Sequence, residues 1–169
     1  MDNDIRNRLS KSLIFKYVHE SRREEIISVS DVLKYGEEEL IIKEGEISSH
    51  VYLIINGEVC VKVKDNDGKQ VYLSTIGEGE IFGEAGIFLK TARTADVVSL
   101  GNSRILRLHR KDLLKFIKKD PATGIKVLMI IIYGLLKKLR ESNQELAYER
   151  TTDGDQEDID AHVESLMKD

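Results

Sequence analysis

Between Leu40 and Arg110 the apolar residues recur every second position, and they do so in short lengths. "LIIK", "VYLII", "EVCVKVK", "VYLST", "DVVSL" and "RILRLHR" are cut apart by "KEGE", "NGE", "NDGK", "GEGE" and "LGNS". A period of two is that of strands, and many short strands at regular spacing argue against a parallel sheet. The segment is therefore expected to form an antiparallel barrel or jelly roll. "DNDGK" carries the strongest hairpin signal, because Asp67 and Gly68 tolerate the positive φ of a tight turn.

The flanks follow a different period. Residues 5 to 34 read as helical, with Leu9, Leu13, Ile14, Tyr17 and Val18 on one face and Ile26, Ile27, Val29, Val32 and Leu33 as a second apolar set. After the strands, "RKDLLKFIKKDP" predicts a brief helix, and Asp120 followed by Pro121 restarts the chain with an N-cap and a proline at the first helical position. The next helix is expected to reach about Tyr148. Along it Ile125, Leu128, Ile132, Leu135, Leu139, Ser142 and Leu146 are spaced alternately by three and four, which is a coiled-coil seam. Val127, Ile130, Ile131 and Leu136 lie off that seam. One face can cover the barrel while the other meets a second copy, with Gly134 allowing close approach, so a parallel homodimer through residues 121–148 is expected. The alternative is a monomer with the helix folded onto its own domain. Ser142, with Asn143 beside it, is polar where the seam wants Leu or Ile; it either fixes register or faces a ligand. The expected organisation is a helical segment over 1–35, a β-roll core over 36–120, the long helix over 121–150 and an acidic tail over 151–169.

Charge and composition exclude several classes. The chain of 169 residues suits one domain with an appendage. From Thr151 on, seven acidic residues against Lys168 give −6; the whole chain carries −4, so the first 150 residues carry +2. That body has no basic stripe for nucleic acid, and the tail reads as solvated or disordered, although Ile159, Val163, Leu166 and Met167 could form a short helix. No apolar run approaches the ~18 residues of a membrane span, and "MDNDIRNRLSK" lacks the order of a secretory signal, so a cytoplasmic protein is expected. A single cysteine, Cys60, excludes an internal disulfide and a CxxC zinc site; alternating with Val59, Val61 and Val63, it reads as a structural thiol in a strand. His19, His50, His109 and His162 are far apart and no "HxH" occurs, so no metal and no cupin-like enzyme is expected.

The chemistry concentrates in "FGEAGIFLKTARTA", residues 82–95. A phosphate needs N–H donors and positive charge. A helix start at "GEAGIF" supplies backbone amides, Gly83 and Gly86 leave the approach open, and Arg93 supplies a planar donor fork. Glu84 would repel a phosphate but can accept a hydrogen bond from a sugar hydroxyl. A phosphate and a ribose hydroxyl in one small loop imply a compact nucleotide. Glu78 and Glu80 would repel a triphosphate, no GKS or GKT is present, and Phe82 stands where a dinucleotide motif needs its third glycine.

"GEIFGEAGIFLKTARTADV" closely resembles the phosphate-binding cassette of cyclic nucleotide-binding domains, and the resemblance runs over roughly residues 36–148. It implies a β-roll flanked by helices, with the long C-terminal helix as dimer interface and lid. It implies that Phe82, Gly83, Glu84, Ala85 and Gly86, then Arg93, Thr94 and Ala95, contact the ligand: Glu84 the ribose 2′-hydroxyl, Arg93 and the backbone of Gly83 to Gly86 the cyclic phosphate, and Thr94 the phosphate or the purine edge. Leu73 and Ser74 fall where the family lines the base pocket. Ser142 and Asn143 match helix positions that reach adenine in the catabolite activator group, which favours the ligand reading of Ser142. In transcription factors of that group a helix-turn-helix domain follows; here 19 acidic-rich residues follow Arg150, so direct DNA binding is not expected. What the resemblance implies is a sensor that binds cAMP, closes the helix over the base and signals as a dimer to an unidentified partner protein. Thr94 suits cGMP as an alternative, and a non-binding dimer scaffold is the other reading.

Overall fold

The computed structural model describes residues 3–89 and 91–166. Three short helices come first: α1 (Asn3–Lys11), α2 (Leu13–Lys16) and α3 (Glu20–Ser28). Then follow β1 (Asp31–Tyr35), β2 (Leu40–Ile42), β3 (His50–Asn56), β4 (Val59–Lys64), β5 (Gln70–Ile76), β6 (Ile81–Phe82), the one-turn α4 (Ala85–Phe88), β7 (Asp96–Ser99) and β8 (Ser103–His109). The chain closes with α5 (Arg110–Lys119) and α6 (Pro121–Leu166). It divides into two units, Met1–Ile131 and Ile132–Asp169.

The eight strands form two antiparallel sheets, in the orders β1-β8-β3-β6 and β2-β7-β4-β5. This is the jelly roll that the period of two predicts. Ile42, Tyr52, Ile54, Val59, Ile76, Phe82, Val97 and Ile105 meet between the sheets as one buried cluster. Cys60 is a buried free thiol in β4. The β4–β5 hairpin turns at "DNDGK", where the Asp65 carboxylate accepts from the Lys69 amide (2.8 Å) and Gly68 takes φ +77. Asp67 keeps a negative φ, so the glycine alone carries the strained position.

Two expectations are corrected at the ends. Val32 and Leu33 do not continue a helix. They lie in β1, opposite Leu106 and Ile105 of β8, because pairing with an otherwise open sheet edge outweighs a weak helical pattern. The β-core therefore begins at Asp31 rather than residue 36. The long helix also continues past Tyr148 to Leu166, through the acidic stretch for which the sequence left open a solvated tail or a short helix; Ile159, Val163 and Leu166 keep helical spacing there.

Helix α6 starts as expected: the Asp120 carboxylate accepts from the Thr123 amide (3.2 Å) and hydroxyl (2.9 Å). Val127 and Ile131 are buried, as the face that covers the barrel should be. Gly124 is the glycine that close packing requires, since a Cβ there would fall 2.9 Å from Ile117. A Cβ at Gly134 would meet nothing within 4 Å in this chain. The seam residues Ile125, Ile132, Leu139 and Leu146, seven apart, are 57, 50, 57 and 49% exposed, and Leu136 of the second set is exposed as well.

Candidate functional site

The stretch singled out in the sequence leaves one sheet at the end of β6 and enters the other at β7. Phe82 anchors its beginning: the ring is buried and stacks on Tyr52, centroids 5.0 Å apart and planes 12° from parallel. It is a core residue. Gly83 takes φ +71, which turns the chain into α4. The turn closes on itself, with the Gly86 amide donating to the Gly83 carbonyl (3.2 Å) and the Ile87 amide to the Glu84 carbonyl (3.0 Å). Ala85 is exposed and Gly86 buried.

Arg93 organises the site. It is only 8% exposed, and its guanidinium is held by main-chain carbonyls: Nη1 donates to Gly83 (2.7 Å) and Nη2 to His50 (2.7 Å). Its own backbone is zipped to the β2–β3 loop, the Arg93 amide donating to the Glu46 carbonyl and the Gly45 amide to the Arg93 carbonyl, both 2.8 Å. The guanidinium carbon lies 6.0 Å from the Tyr52 ring centroid. It also lies flat against Gly86. A Cβ at Gly86 would fall 2.8 Å from Arg93 Nη1 and 2.6 Å from the Ser48 carbonyl oxygen, and one at Gly83 would fall 3.1 Å from the same Nη1. Both glycines are thus needed for the guanidinium to enter.

One donor is left over. Arg93 Nε is buried without a hydrogen-bond partner. An unmade bond of this kind costs about 1–3 kcal/mol, and buried polar atoms are nearly always satisfied; among the described residues Arg110 Nε is the other such atom. Glu84, 7% exposed, sits at the N-cap of α4 but its carboxylate does not cap the helix. The same short segment therefore buries a guanidinium and a carboxylate, which is costly unless a ligand or a network uses them.

Other expected residues lie further out. Thr94 is exposed and Ala95 half-buried, next to Arg93. Leu73 and Ser74 are on the exposed edge strand β5, with Ser74 opposite Val61 beside a bulge in β4. Ser142 and Asn143 are exposed on α6 in the second unit. The sequence reading missed Glu46, Ser48, His50 and Tyr52, which build the wall that holds Arg93. Three of these act through main-chain oxygens, which leave no side-chain signature.

His50 stands at the edge of this wall. Burial, with the neighbouring Arg107, His109 and Arg93, lowers the proton affinity of its imidazole, against an opposing effect of Asp31. Burial also raises the Tyr35 phenol nearby. Among the described residues no group of three His, Cys, Asp or Glu is placed to hold a metal, and no helix is long and apolar enough to cross a membrane. A cleft of about 610 Å³ opens beside α1 and α3, lined by residues such as Asn3, Arg6, Arg23 and Glu24; none of its lining belongs to the Arg93 site.

Comparison with known proteins bears on this arrangement. Residues 32–120 match the family model described as a cyclic nucleotide-binding domain. The cAMP-activated global transcriptional regulator CRP of Haemophilus influenzae is 30% identical over 114 residues, covering 67% of this chain and 49% of the regulator. A cGMP-dependent protein kinase of Plasmodium berghei is 34% identical over 101 residues, 60% of this chain and 11% of the kinase. The chain spans about half the length of the CRP regulators it matches. The crystal structure of the Thermus thermophilus catabolite activator protein superposes with a TM-score of 0.68 at 26% identity, over 79% of this chain and 61% of that one. With the family match spanning more than half of the sequence and including the segment between β6 and β7 that carries Glu84 and Arg93, this chain belongs to the cyclic nucleotide-binding domain family.

Proposed function

We propose that this chain is a cAMP sensor that works as a dimer and signals by presenting an altered surface to a partner protein. The observation that carries the reading is Arg93, buried, pinned by two carbonyls and left with an unpartnered Nε beside a glycine-lined turn. A cyclic phosphate supplies the acceptor oxygens and the negative charge that this group lacks. Glu84, a buried carboxylate beside the phosphate site, accepts from the ribose 2′-hydroxyl. Thr94 and the exposed residues Leu73 and Ser74 are available to the base. Ser142 and Asn143 supply the polar groups that favour adenine.

Dimerisation through α6 is supported by the seven-residue recurrence of exposed Ile125, Ile132, Leu139 and Leu146. The chain acts by binding rather than by catalysis, in the cytoplasm and without direct contact to DNA; the body's charge of +2 and the tail's −6 give no basic footprint for nucleic acid. The exposed hydroxyl of Thr94 directly after Arg93 favours one second reading, cGMP as ligand.

Ligand-induced thermal stabilisation tests the proposal. A ligand at one hundred times its Kd stabilises the fold by about 2.7 kcal/mol, so cAMP should raise the unfolding temperature by several degrees, and more than cGMP at equal concentration. No stabilisation by either nucleotide refutes the sensor; sedimentation as a monomer with and without ligand refutes the dimer.

A further inference from the structure

We propose that His50 is a positioning residue of the Arg93 site and that it couples binding of the ligand's phosphate to uptake of one proton. The inference rests on the reading of that site as a phosphate cradle. His50 belongs to the cradle in two ways. Its carbonyl accepts from Arg93 Nη2 at 2.7 Å, and the neighbouring Ser48 carbonyl closes against Gly86. Its ring is held by the same short segment, with Nδ1 3.1 Å from the Ser48 hydroxyl.

The groups facing the ring come from four places. His109 of β8, directly opposite in the ladder, meets it edge to face with centroids 4.8 Å apart and planes at 82°. Arg107 of β8 is the next cation, and it is bonded at 2.8 Å to Asp31 of β1, the one anion of the group. Tyr52 of β3 lies 6.4 Å away, centroid to centroid. Arg93 approaches from the cassette side. The His109 Nδ1 accepts from the Lys111 amide (3.0 Å) at the start of α5, so that ring is committed as an acceptor to capping the helix. A proton on His109 Nδ1 would break that cap, whereas His50 Nδ1 faces the Ser48 hydroxyl, which can accept as well as donate.

Without ligand, burial and the surrounding cations hold the proton affinity of His50 below its ordinary value. A phosphate drawn to Arg93 offsets that guanidinium and brings a negative charge to the same wall, so the proton affinity of His50 rises on binding. The sign of the linkage follows. The bound state takes up the proton, so affinity increases as pH falls through the window between the free and the bound titration points, and it levels off on either side. A phosphodiester has no second proton to gain or lose near neutrality, so the ligand itself contributes no slope. A bound-state titration point raised by half a pH unit to one corresponds to an affinity gain of about three- to tenfold.

Calorimetric titration of the full chain with cAMP from pH 8 to 5.5, in two buffers of different ionisation enthalpy, reads both the slope and the proton uptake. The wild type should bind about three- to tenfold tighter at the acid end, with proton uptake in the window. His50→Gln should lose the slope whatever its affinity at pH 8. A slope that persists in His50→Gln, or that disappears only in His109→Gln, overturns the assignment. Proton NMR of the wild-type imidazoles gives a reading free of substitution: the His50 midpoint should move up on adding cAMP, and a midpoint that stays or falls overturns the coupling. Binding without pH dependence removes the coupling and leaves the phosphate reading intact. Absence of cAMP binding at every pH removes both.

Discussion

Replacing Arg93 by methionine isolates what the guanidinium does. The substitution keeps an unbranched stem out to about the Nε position, so packing of the stem is preserved while the space of the guanidinium head is left unfilled. What disappears is a buried charge with two 2.7 Å bonds to the carbonyls of Gly83 and His50 and one unsatisfied Nε. In the free protein these changes oppose one another. Two charge-assisted bonds are worth about 1.5–3 kcal/mol each, whereas leaving a guanidinium desolvated costs several kcal/mol. The net change in stability should stay within about 2 kcal/mol, or roughly 4–8 °C in Tm for a chain of this size. The complex has no such compensation. A phosphate brought into the cradle would lose the only buried counter-charge among the described residues of this wall, at a cost of about 3–5 kcal/mol. That is a loss of roughly two to more than three decades in Kd. Calorimetric titration with cAMP reads the affinity, and circular dichroism with a thermal scan shows that the fold persists. Wild-type affinity in a folded Arg93→Met variant would refute the reasoning at its root.

Three further outcomes follow from named contacts. Glu84→Gln keeps an acceptor where the carboxylate stands, so binding should weaken by only about 1–3 kcal/mol, and the loss should shrink for 2′-deoxy-cAMP; an equal loss for both ligands removes the ribose contact. Gly86→Ala puts a Cβ 2.6 Å from the Ser48 oxygen and 2.8 Å from Arg93 Nη1, so it should destabilise the free protein by about 1–3 kcal/mol and weaken binding as well; a neutral substitution in denaturant titration contradicts the described packing. The Asp120 carboxyl is held below its ordinary value of 3.8, first by the Thr123 amide, so its contribution is present above that value and lost as pH falls through the lower folded value. Asp120→Asn should therefore be less stable than wild type at pH 7, with the difference closing below about pH 4; a difference that is independent of pH sinks the capping account.

Much of the fold was legible because it is local. The β4–β5 hairpin, the strands around it and the start of α6 are each written in a few consecutive residues: a turn motif, an alternation, a cap followed by proline. Strand β1 was not, since Val32 and Leu33 fit a helical period as well as a strand and only the open edge of β8 decides between them. The acidic stretch likewise reads as solvated by composition, and its backbone is helical to Leu166. The site divides the same way. Glu84 and Arg93 stand nine residues apart and announce themselves together. The groups that hold Arg93 come from Glu46, Ser48, His50 and Tyr52, some forty residues earlier, mostly through carbonyl oxygens that any side chain would provide. Glu84 looks like an ordinary surface charge in the sequence; its burial is a product of the turn at Gly83.

The most direct test of the central claim is an isothermal calorimetric titration of the purified chain with cAMP and, separately, with cGMP. The account predicts saturable binding of cAMP at one site per chain, tighter than that of cGMP and lost in Arg93→Met. No detectable heat from either nucleotide at several temperatures, in protein shown to be folded, would contradict it and leave a jelly roll whose buried arginine serves some other end.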